Sequence, residues 1–304
     1  MKLNLKGLFL AIIMLSACSL QAETSFFSNS FISQSVQVYG IAGMPWEESM
    51  SLEEERARAW VDALHHAYEK ILDLPLMEGK LVRQVFQTNS GLKSRLGMIL
   101  MKAKKTFYTK DQTGLIRCKL DVPFNGKFSI RSALYLAALR PKPIRPVSLL
   151  ASWSRRLRPT SKSKAPKFTR MVVDLRDTNY QPSLFPRFFD DKGYLVFQET
   201  MLPSHKRFTR PVVKFTENIL DAYKDIEEEK VMVVDGMVPN LSTRDIAVVD
   251  AEATIFARFC EYIVKNPLGK KEILLVFSAQ KIKTGKLSKK KQEVKEENKN
   301  NNNK

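Results

Sequence analysis

The chain of 304 residues contains only three cysteines and three histidines. Neither a disulfide-stabilised miniprotein nor an array of zinc fingers can be built from so few of these side chains. After the first 20 residues no apolar run is long enough to span a bilayer. The sequence also lacks a P-loop, a G-x-S-x-G elbow, a C-x-x-C pair and an H-E-x-x-H motif. It therefore offers no recognisable catalytic motif, and its interpretation depends on charge, periodicity and organisation.

Positive charge is in excess, with 50 Lys and Arg against 32 Asp and Glu, and the formal net charge is +18. Ten basic and no acidic residues lie between Arg140 and Arg170, and residues 281–304 hold nine Lys and three Glu. Lys2 and Lys6 add two charges near the start, so the rest of the chain is formally neutral. This distribution assigns the basicity to a leader, a linker and a tail rather than to a folded surface, which argues against a nucleic-acid-binding domain.

Residues 1–22 have the pattern of a bacterial signal peptide. An apolar run over Leu8–Leu15 follows two lysines and is too short for a comfortable membrane span. The sequence LSAC at residues 15–18 resembles the bacterial lipobox, in which the cysteine becomes the lipidated N-terminal residue. We therefore expect export to the periplasm, with a lipid on Cys18 that anchors the protein to the inner or the outer membrane. Ordinary cleavage after Ala22 and a buried N-terminal helix are the alternatives.

Residues 35–139 are predicted to form a small α+β domain. A helix begins at Ser51, whose side chain forms a capping box with Glu54, and apolar residues at helical spacing continue it to the region before Pro75. The other predicted elements are a strand, an antiparallel hairpin and a closing helix, over residues 36–43, 101–109 with 115–122, and 129–139.

A second α+β domain is predicted over residues 170–280. Its strands are short and apolar, and turns rich in Pro, Gly and Asp separate them. They are assigned to residues 171–175, 194–197, 230–236, 244–249 and 272–277. A helix beginning at Asp250 carries apolar residues at helical spacing. The fold class is thus α+β with two small domains, and a hydrophobic content of 44% is sufficient for one or two ordinary cores.

A basic linker over residues 140–169, rich in Pro, Ser and Lys, joins the two predicted domains. Proline favours an extended chain there, and Ser and Lys favour flexibility. Within it, residues 147–157 could form a short basic amphipathic helix that contacts a membrane or a partner, or that docks on a neighbouring domain. Residues 281–304 are rich in Lys and Asn and are predicted to be a disordered tail.

Few thiol or imidazole side chains invite a chemical assignment. Cys118 lies in an alternating strand pattern and Cys260 in an apolar helical pattern, so two buried free thiols are expected. A disulfide between them is the alternative, because exported proteins can form one. His65 and His66 are adjacent on a helix and point about 100° apart, which suits one solvated and one half-buried residue rather than a metal site.

Four carboxylates are a second possible site, since Asp174, Asp177, Asp190 and Asp191 flank predicted strands. Catalytic carboxylates need a defined separation and a shifted pKa, whereas adjacent Asp residues in a turn are ordinarily solvated. We therefore predict no catalytic, metal-ligating or cofactor-binding residue, no cofactor and no enzymatic activity.

Several segments share their order and spacing with a known group of proteins. In the first domain these segments are VYGIAG (38–43), ERARAWVDA (55–63) and LDVPFNG (120–126). In the second domain they are VDLR (173–176), PSLFPR (182–187), DDKG (190–193), DA (250–251) and NPL (266–268). They resemble a group of bacterial envelope lipoproteins that includes the N-terminal and middle regions of the flagellar T-ring protein. The resemblance implies a non-catalytic envelope or flagellum-associated protein built from small α+β modules.

Two functions are consistent with this sequence. The first is a non-catalytic structural or interaction protein of the bacterial cell envelope, with a role in flagellar assembly and motility as its narrower form. Its expected partners are envelope or flagellar proteins and, through residues 140–169 and 281–304, an anionic membrane or cell-wall surface, but not nucleic acid. The alternative is a periplasmic ligand-binding protein or enzyme with an interdomain cleft.

Overall fold

A computed structural model describes residues 26–43, 50–77, 80–87, 89–108, 114–138, 166–190, 193–203, 210–239, 244–248, 250–266 and 269–278. It confirms the predicted α+β class, since helices, an antiparallel sheet and a mixed sheet occur together. The predicted leader, the predicted tail and residues 139–165 of the linker region lie outside the described residues. We refer to residues 26–138 as the N-terminal module and to residues 166–278 as the C-terminal module.

The N-terminal module contains five helices and five strands within its described residues. The helices are α1 (26–33), α2 (Leu52–Leu72), α3 (Val82–Phe86), α4 (Ser90–Lys102) and α5 (Ile130–Ala138). The strands are β1 (Ser35–Ala42), β2 (Pro75–Met77), β3 (Lys80–Leu81), β4 (Lys104–Tyr108) and β5 (Ile116–Pro123). Strands β1, β5 and β4 form an antiparallel sheet in that order, and β2 pairs with β3.

Helix α2 begins with the predicted capping box. The Ser51 hydroxyl accepts a hydrogen bond from the Glu54 amide at 3.3 Å, and the Glu54 carboxylate accepts one from the Ser51 amide at 2.8 Å. This reciprocal pair satisfies two amides that the first turn of a helix leaves without partners. The helix ends at Leu72, before Pro75, as the sequence predicts.

Helix α2 lies directly against β1, and Gly40 allows this close approach. A Cβ atom at Gly40 would lie 2.0 Å from the carbonyl oxygen of Ala59 and 2.3 Å from the amide nitrogen of Ala63. Both alanines are fully buried. The glycine and the small alanines therefore act together, because a side chain on either surface would push the helix away from the sheet.

The C-terminal module is built on a seven-stranded mixed sheet. Its strands are β6 (Arg170–Asp174), β7 (Arg187–Phe189), β8 (Leu195–Gln198), β9 (Val213–Thr216), β10 (Val231–Met237), β11 (Asp245–Val248) and β12 (Glu272–Val276), in the order β8-β7-β11-β10-β6-β12-β9. The four strands β10, β6, β12 and β9 run parallel. The residues at the centre of β6 are buried on both faces of the sheet, as is usual for a parallel strand.

Helix α6 (Asp250–Lys265) packs on β8 and β11, and its apolar stripe is confirmed in part. Phe256, Phe259 and Ile263 are buried, whereas Ile255 is 40% exposed. Short 3-10 turns over Glu199–Met201, Ile219–Tyr223 and Glu228–Lys230 complete this module within its described residues.

The hairpin prediction needs one correction. Residues 101–102 belong to α4, and the strand that was predicted over 101–109 begins only at Lys104. The helix extends further because Leu96, Ile99 and Leu100 occupy its buried face. Packing of this apolar stripe outweighs the strand preference of the residues that follow.

Both cysteines outside the leader are buried and free, so the prediction of two free thiols is confirmed. Cys118 lies on β5 and Cys260 on α6. Burial raises the pKa of Cys260 and of Cys118, and the charge of Lys105 opposes the rise at Cys118. Thiols with raised pKa values are poor nucleophiles, so packing is the role that their positions support.

Apolar packing is continuous between the two modules. The ring of Phe31 lies 5.2 Å from that of Phe124 and 5.2 Å from that of Phe215, measured between centroids. The amides of Leu184 and Phe185 donate hydrogen bonds to the carbonyls of β2 at 2.9 and 3.1 Å. The division into independently folding domains at 35–139 and 170–280 stays a prediction, but their described residues share one core.

Candidate interaction surface

A buried ion pair holds the two modules together. Arg131, the second residue of α5, is 0% exposed, and Glu199, in the 3-10 turn after β8, is 5% exposed. One guanidinium nitrogen of Arg131 donates hydrogen bonds to the Glu199 carboxylate at 3.0 Å and to the Asn125 side chain at 2.9 Å. Asn125 in turn donates to the side-chain oxygen of Gln34 at 3.0 Å. A polar chain thus runs from the end of α1 through α5 into the C-terminal module.

The charges of this pair compensate each other inside the protein. Burial raises the pKa of Glu199, and the charge of Arg131 opposes that rise. Burial likewise lowers the pKa of Arg131, against the opposing effect of Glu199. A buried charge without its partner is costly, so each residue requires the other in the folded state.

Further buried polar groups lie near the ion pair, and some of their atoms form no hydrogen bonds with one another. Tyr180, Ser183 and Arg244 each place a buried polar atom there that has no hydrogen-bond partner within the described part of the chain. Burial, followed by the charge of Asp245, raises the pKa of Tyr180, whereas Ser183, Arg131 and Arg244 oppose the rise. The hydroxyls of Tyr180 and Ser183 lie near each other but miss hydrogen-bond geometry. Such atoms are places for ordered water or for a small polar molecule.

Three other ion pairs join neighbouring strands within the C-terminal module. Arg187 on β7 binds the carboxylate of Asp245 on β11 through two hydrogen bonds of 2.9 and 2.6 Å. Arg170 on β6 binds Glu272 on β12 at 2.7 Å, and the ammonium of Lys214 lies 2.6 Å from the same carboxylate. Each ion pair joins residues that are register partners or neighbours in the sheet, so these charges are committed to strand pairing.

The two adjacent histidines lie on the surface of α2, and one of them contacts the edge strand β1. Both His65 and His66 are exposed, which corrects the prediction of one half-buried residue. The Nδ1 atom of His66 lies 2.9 Å from the carbonyl oxygen of Tyr39, and Asp62 accepts the Ile41 amide at 3.0 Å. Among the described residues no group of three or more His, Cys, Asp or Glu side chains is arranged as metal ligands.

The carboxylates considered as a possible cluster are distributed over the C-terminal module. Asp174 at the end of β6 forms a forked pair with Arg176, and this hydrogen bonding lowers the pKa of Asp174. Asp190 follows β7 and accepts the amide of Tyr194 at 2.7 Å. Strands β6 and β7 run in opposite directions with β10 and β11 between them. The carboxyl-terminal ends of β6 and β7, where Asp174 and Asp190 lie, therefore face opposite ends of the sheet. Asp177 lies in the turn after β6, and Asp191 is outside the described residues.

The N-terminal module exposes an apolar surface that sequence reasoning missed. Met98 and Met101 on α4 are 49% and 60% exposed, and Phe128 is 37% exposed. The ammonium of Lys102 lies 3.7 Å from the centroid of the Phe128 ring, and that of Lys127 lies 5.6 Å from it. We call these five residues the basic-apolar patch.

The segment that contains three of these five residues carries positive charges and no negative ones. Residues 79–110 contain eight Lys and Arg and no Asp or Glu. Lys93, Lys102, Lys104 and Lys105 are all exposed. The prediction that positive charge lies outside the folded surface was therefore wrong for this segment. Acidic residues elsewhere in the folded modules balance this positive charge in the net charge of the chain. They do not neutralise it locally, because none of them lies within this segment.

None of the helices among the described residues is long and apolar enough to cross a membrane. Cys18, the predicted lipidation site, lies outside the described residues, as do residues 281–304. In comparisons with known proteins, no protein family matches this chain. No curated protein is significantly similar to it in sequence.

Proposed function

We propose that this protein is a non-catalytic structural or interaction protein of a bacterial cell envelope. In this proposal it is exported to the periplasm, and a lipid on Cys18 holds it at a membrane. Association with the flagellar apparatus is the narrower form of the same proposal. Its partners are envelope proteins and anionic envelope surfaces.

The observation that carries the proposal is the packed junction between the two modules. Arg131 and Glu199 pair without solvent contact, and the aromatic ring of Phe31 packs against both modules. A scaffold needs such a fixed relation between its parts, whereas an enzyme that closes around a substrate needs a hinge. The ion pairs of Arg187 with Asp245 and of Arg170 with Glu272 join neighbouring strands, so these charges also support a structural role.

Export and anchoring rest on the leader. Two lysines, an apolar run and the LSAC sequence at residues 15–18 follow one another in the order of a lipoprotein signal. The junction and the leader support different parts of the proposal, so each has its own test.

The test of the anchor is mass spectrometry of the native N-terminus together with cell fractionation. We expect a mature chain that begins at acylated Cys18 and partitions with membranes. A Cys18→Ser variant should be exported but released from them. An unmodified N-terminus at Glu23 would reject lipidation and leave export standing.

The test of the role is deletion of the gene. We expect loss of envelope integrity or of motility, restored both by the wild-type chain and by Tyr180→Phe, which removes a buried hydroxyl near the junction. Restoration by the wild type alone would point instead to chemistry or ligand binding at that hydroxyl.

A second function is favoured by one specific observation, the buried polar atoms near the junction that have no hydrogen-bond partner among the described residues. The atoms of Tyr180, Ser183 and Arg244 could hold a small polar ligand, in keeping with the alternative of a ligand-binding protein. A thermal-shift survey of periplasmic extracts tests it. Stabilisation of the wild type that disappears in Tyr180→Phe would support this function.

A further inference from the structure

Helix α4 exposes methionines where a surface helix ordinarily carries polar side chains. Leu92, Leu96, Ile99 and Leu100 form its buried stripe. With about 100° between successive helical residues, Met98 and Met101 fall on the opposite side, so packing within the module does not account for them. Single exposed apolar residues are common. Here two exposed methionines lie one turn apart, and Lys102 of the same helix places its ammonium over the exposed ring of Phe128, so the apolar residues are grouped rather than scattered.

The charge around this surface is positive. Lys102 and Lys127 place their ammonium groups over the ring of Phe128. Lys93 is also exposed on the same acid-free segment. Lys104 and Lys105 of that segment are directed elsewhere, since Lys104 pairs in register with Asp121 and the Lys105 ammonium lies over the Trp60 ring. An anionic partner with an apolar layer beneath its charges would match this arrangement, because lysine heads can reach the anions while apolar side chains enter that layer.

We propose that the basic-apolar patch docks on the anionic headgroup surface of a lipid bilayer. Methionine side chains are flexible and unbranched, so they adapt to the fluid boundary between headgroups and acyl chains. A phenylalanine next to two lysines is suited to the same boundary. Each lysine near an anionic surface contributes modestly, so several lysines and a few apolar side chains are needed together.

The position of the chain before the N-terminal module favours a bilayer over a protein partner. Phe26 follows Cys18 by eight residues, which extend to at most about 28 Å. A lipid on Cys18, which is part of the proposed function, would therefore keep the N-terminal module close to a bilayer. Tethering at that distance raises the effective concentration of the patch at the surface, so weak docking becomes effective.

The experiment is vesicle co-sedimentation of the mature chain purified without acyl groups. The vesicles contain phosphatidylglycerol mixed with phosphatidylcholine, or phosphatidylcholine alone. The patch variant is Met98→Ser with Met101→Ser, and the matched control is Met237→Ser, a methionine 50% exposed on the C-terminal module. All three chains keep residues 140–170 and 281–304, so any binding by those segments is common to them.

We expect the wild type and the control to bind the phosphatidylglycerol vesicles equally, and the patch variant to bind about tenfold more weakly or worse. A second variant, Lys102→Gln with Lys127→Gln, should weaken binding at about 0.1 M salt and differ less from wild type at about 1 M salt. Unchanged thermal unfolding of each variant would show that the fold is intact, because all the altered side chains are exposed.

Equal vesicle binding by the patch variant and the control would overturn the proposal. So would a patch variant that changes self-association or binding to an envelope protein while vesicle binding stays the same, because the patch would then be a protein interface. The vesicle result requires neither export nor acylation. An unmodified N-terminus at Glu23 would therefore reject lipidation of Cys18 but would not affect the docking proposal. Failed vesicle binding would reject the docking proposal but would not affect lipidation.

Discussion

The guanidinium of Arg131 and the carboxylate of Glu199 meet at 3.0 Å across 68 residues of sequence and join the two modules in a site closed to solvent. The pair is connected through Asn125 to Gln34 at the end of α1. The contact between α5 and the turn after β8 therefore combines a buried ion pair with the apolar packing that joins the two modules. Because both side chains are buried, removal of either charge would leave the other without a counter-charge.

Arg131→Met should destabilise the protein strongly. It leaves the Glu199 carboxylate buried without a counter-charge, and breaking a buried pair in this way costs about 3–5 kcal/mol. Adding Glu199→Met should recover most of the loss, because no uncompensated charge remains. Urea unfolding measures the free energies. Arg83→Met is the control, with half-exposed ion pairs to Glu69 and Asp73, and should change little.

Gly40→Ala should destabilise the N-terminal module by about 1–3 kcal/mol, because the new methyl group would overlap the backbone of α2. Gly97→Ala is the matched control, since nothing lies within 4 Å of a Cβ atom there. Within helix α4 that alanine should stabilise by up to about 1 kcal/mol. Thermal unfolding of the two variants should therefore move in opposite directions, and a similar shift in both would contradict the close approach of α2 to β1.

Glu272 should make stability depend on pH. Burial would raise the pKa of Glu272, but hydrogen bonds and charges of Lys214 and Arg170 outweigh burial and hold the pKa below its ordinary 4.5. A lowered pKa gives stability that is present above the unfolded value and is lost as the pH falls through the folded value.

Glu272→Gln should therefore be less stable than wild type at neutral pH and should lose less stability on acidification below about pH 5. The measurement is the free energy of urea unfolding across that range. Glu228→Gln, at an exposed position, should follow the wild-type curve. Parallel curves for wild type and Glu272→Gln would mean that the ion pair does not depress the pKa of Glu272.

Trypsin should cut first between Arg140 and Lys167, where basic residues and prolines are frequent and no acidic residue occurs. The two fragments should then co-elute in gel filtration, because the modules share a packed core and the buried ion pair. Denaturant should separate them. Fragments that separate without denaturant would show that the junction is weaker than its contacts imply.

Local patterns were sufficient to predict much of the fold. The capping box of Ser51 with Glu54 and the alternation around Cys118 are decided by neighbours in sequence. The short strands β7 and β9 were missed, because three or four residues carry little periodicity and their sheet partners lie far away in sequence. The Arg131–Glu199 pair could not be predicted either, because its two residues lie 68 positions apart in the sequence.

The basic-apolar patch was missed for a different reason. Net charge was summed over the folded regions, where the acidic start of α2 and the acidic residues of 217–235 cancel the basic segment. The signal was present in the sequence: residues 79–110 lack any acid, and Met98 and Met101 fall opposite a leucine-rich stripe. The local charge of this segment and the helical phase of its methionines together indicate the surface.

The interior position of β6, between β10 and β12, also sets an order of events during synthesis. Its partners β10 and β12 are made later, and Arg170 must wait 102 residues for Glu272. At ordinary rates of translation that interval lasts roughly 5 to 20 s. Until β10 is made, this buried strand has no neighbouring strand to pair with, and its other side stays unpaired until β12 follows. For the proposed exported protein this delay would be an advantage, because a chain whose sheet cannot close early stays unfolded for longer.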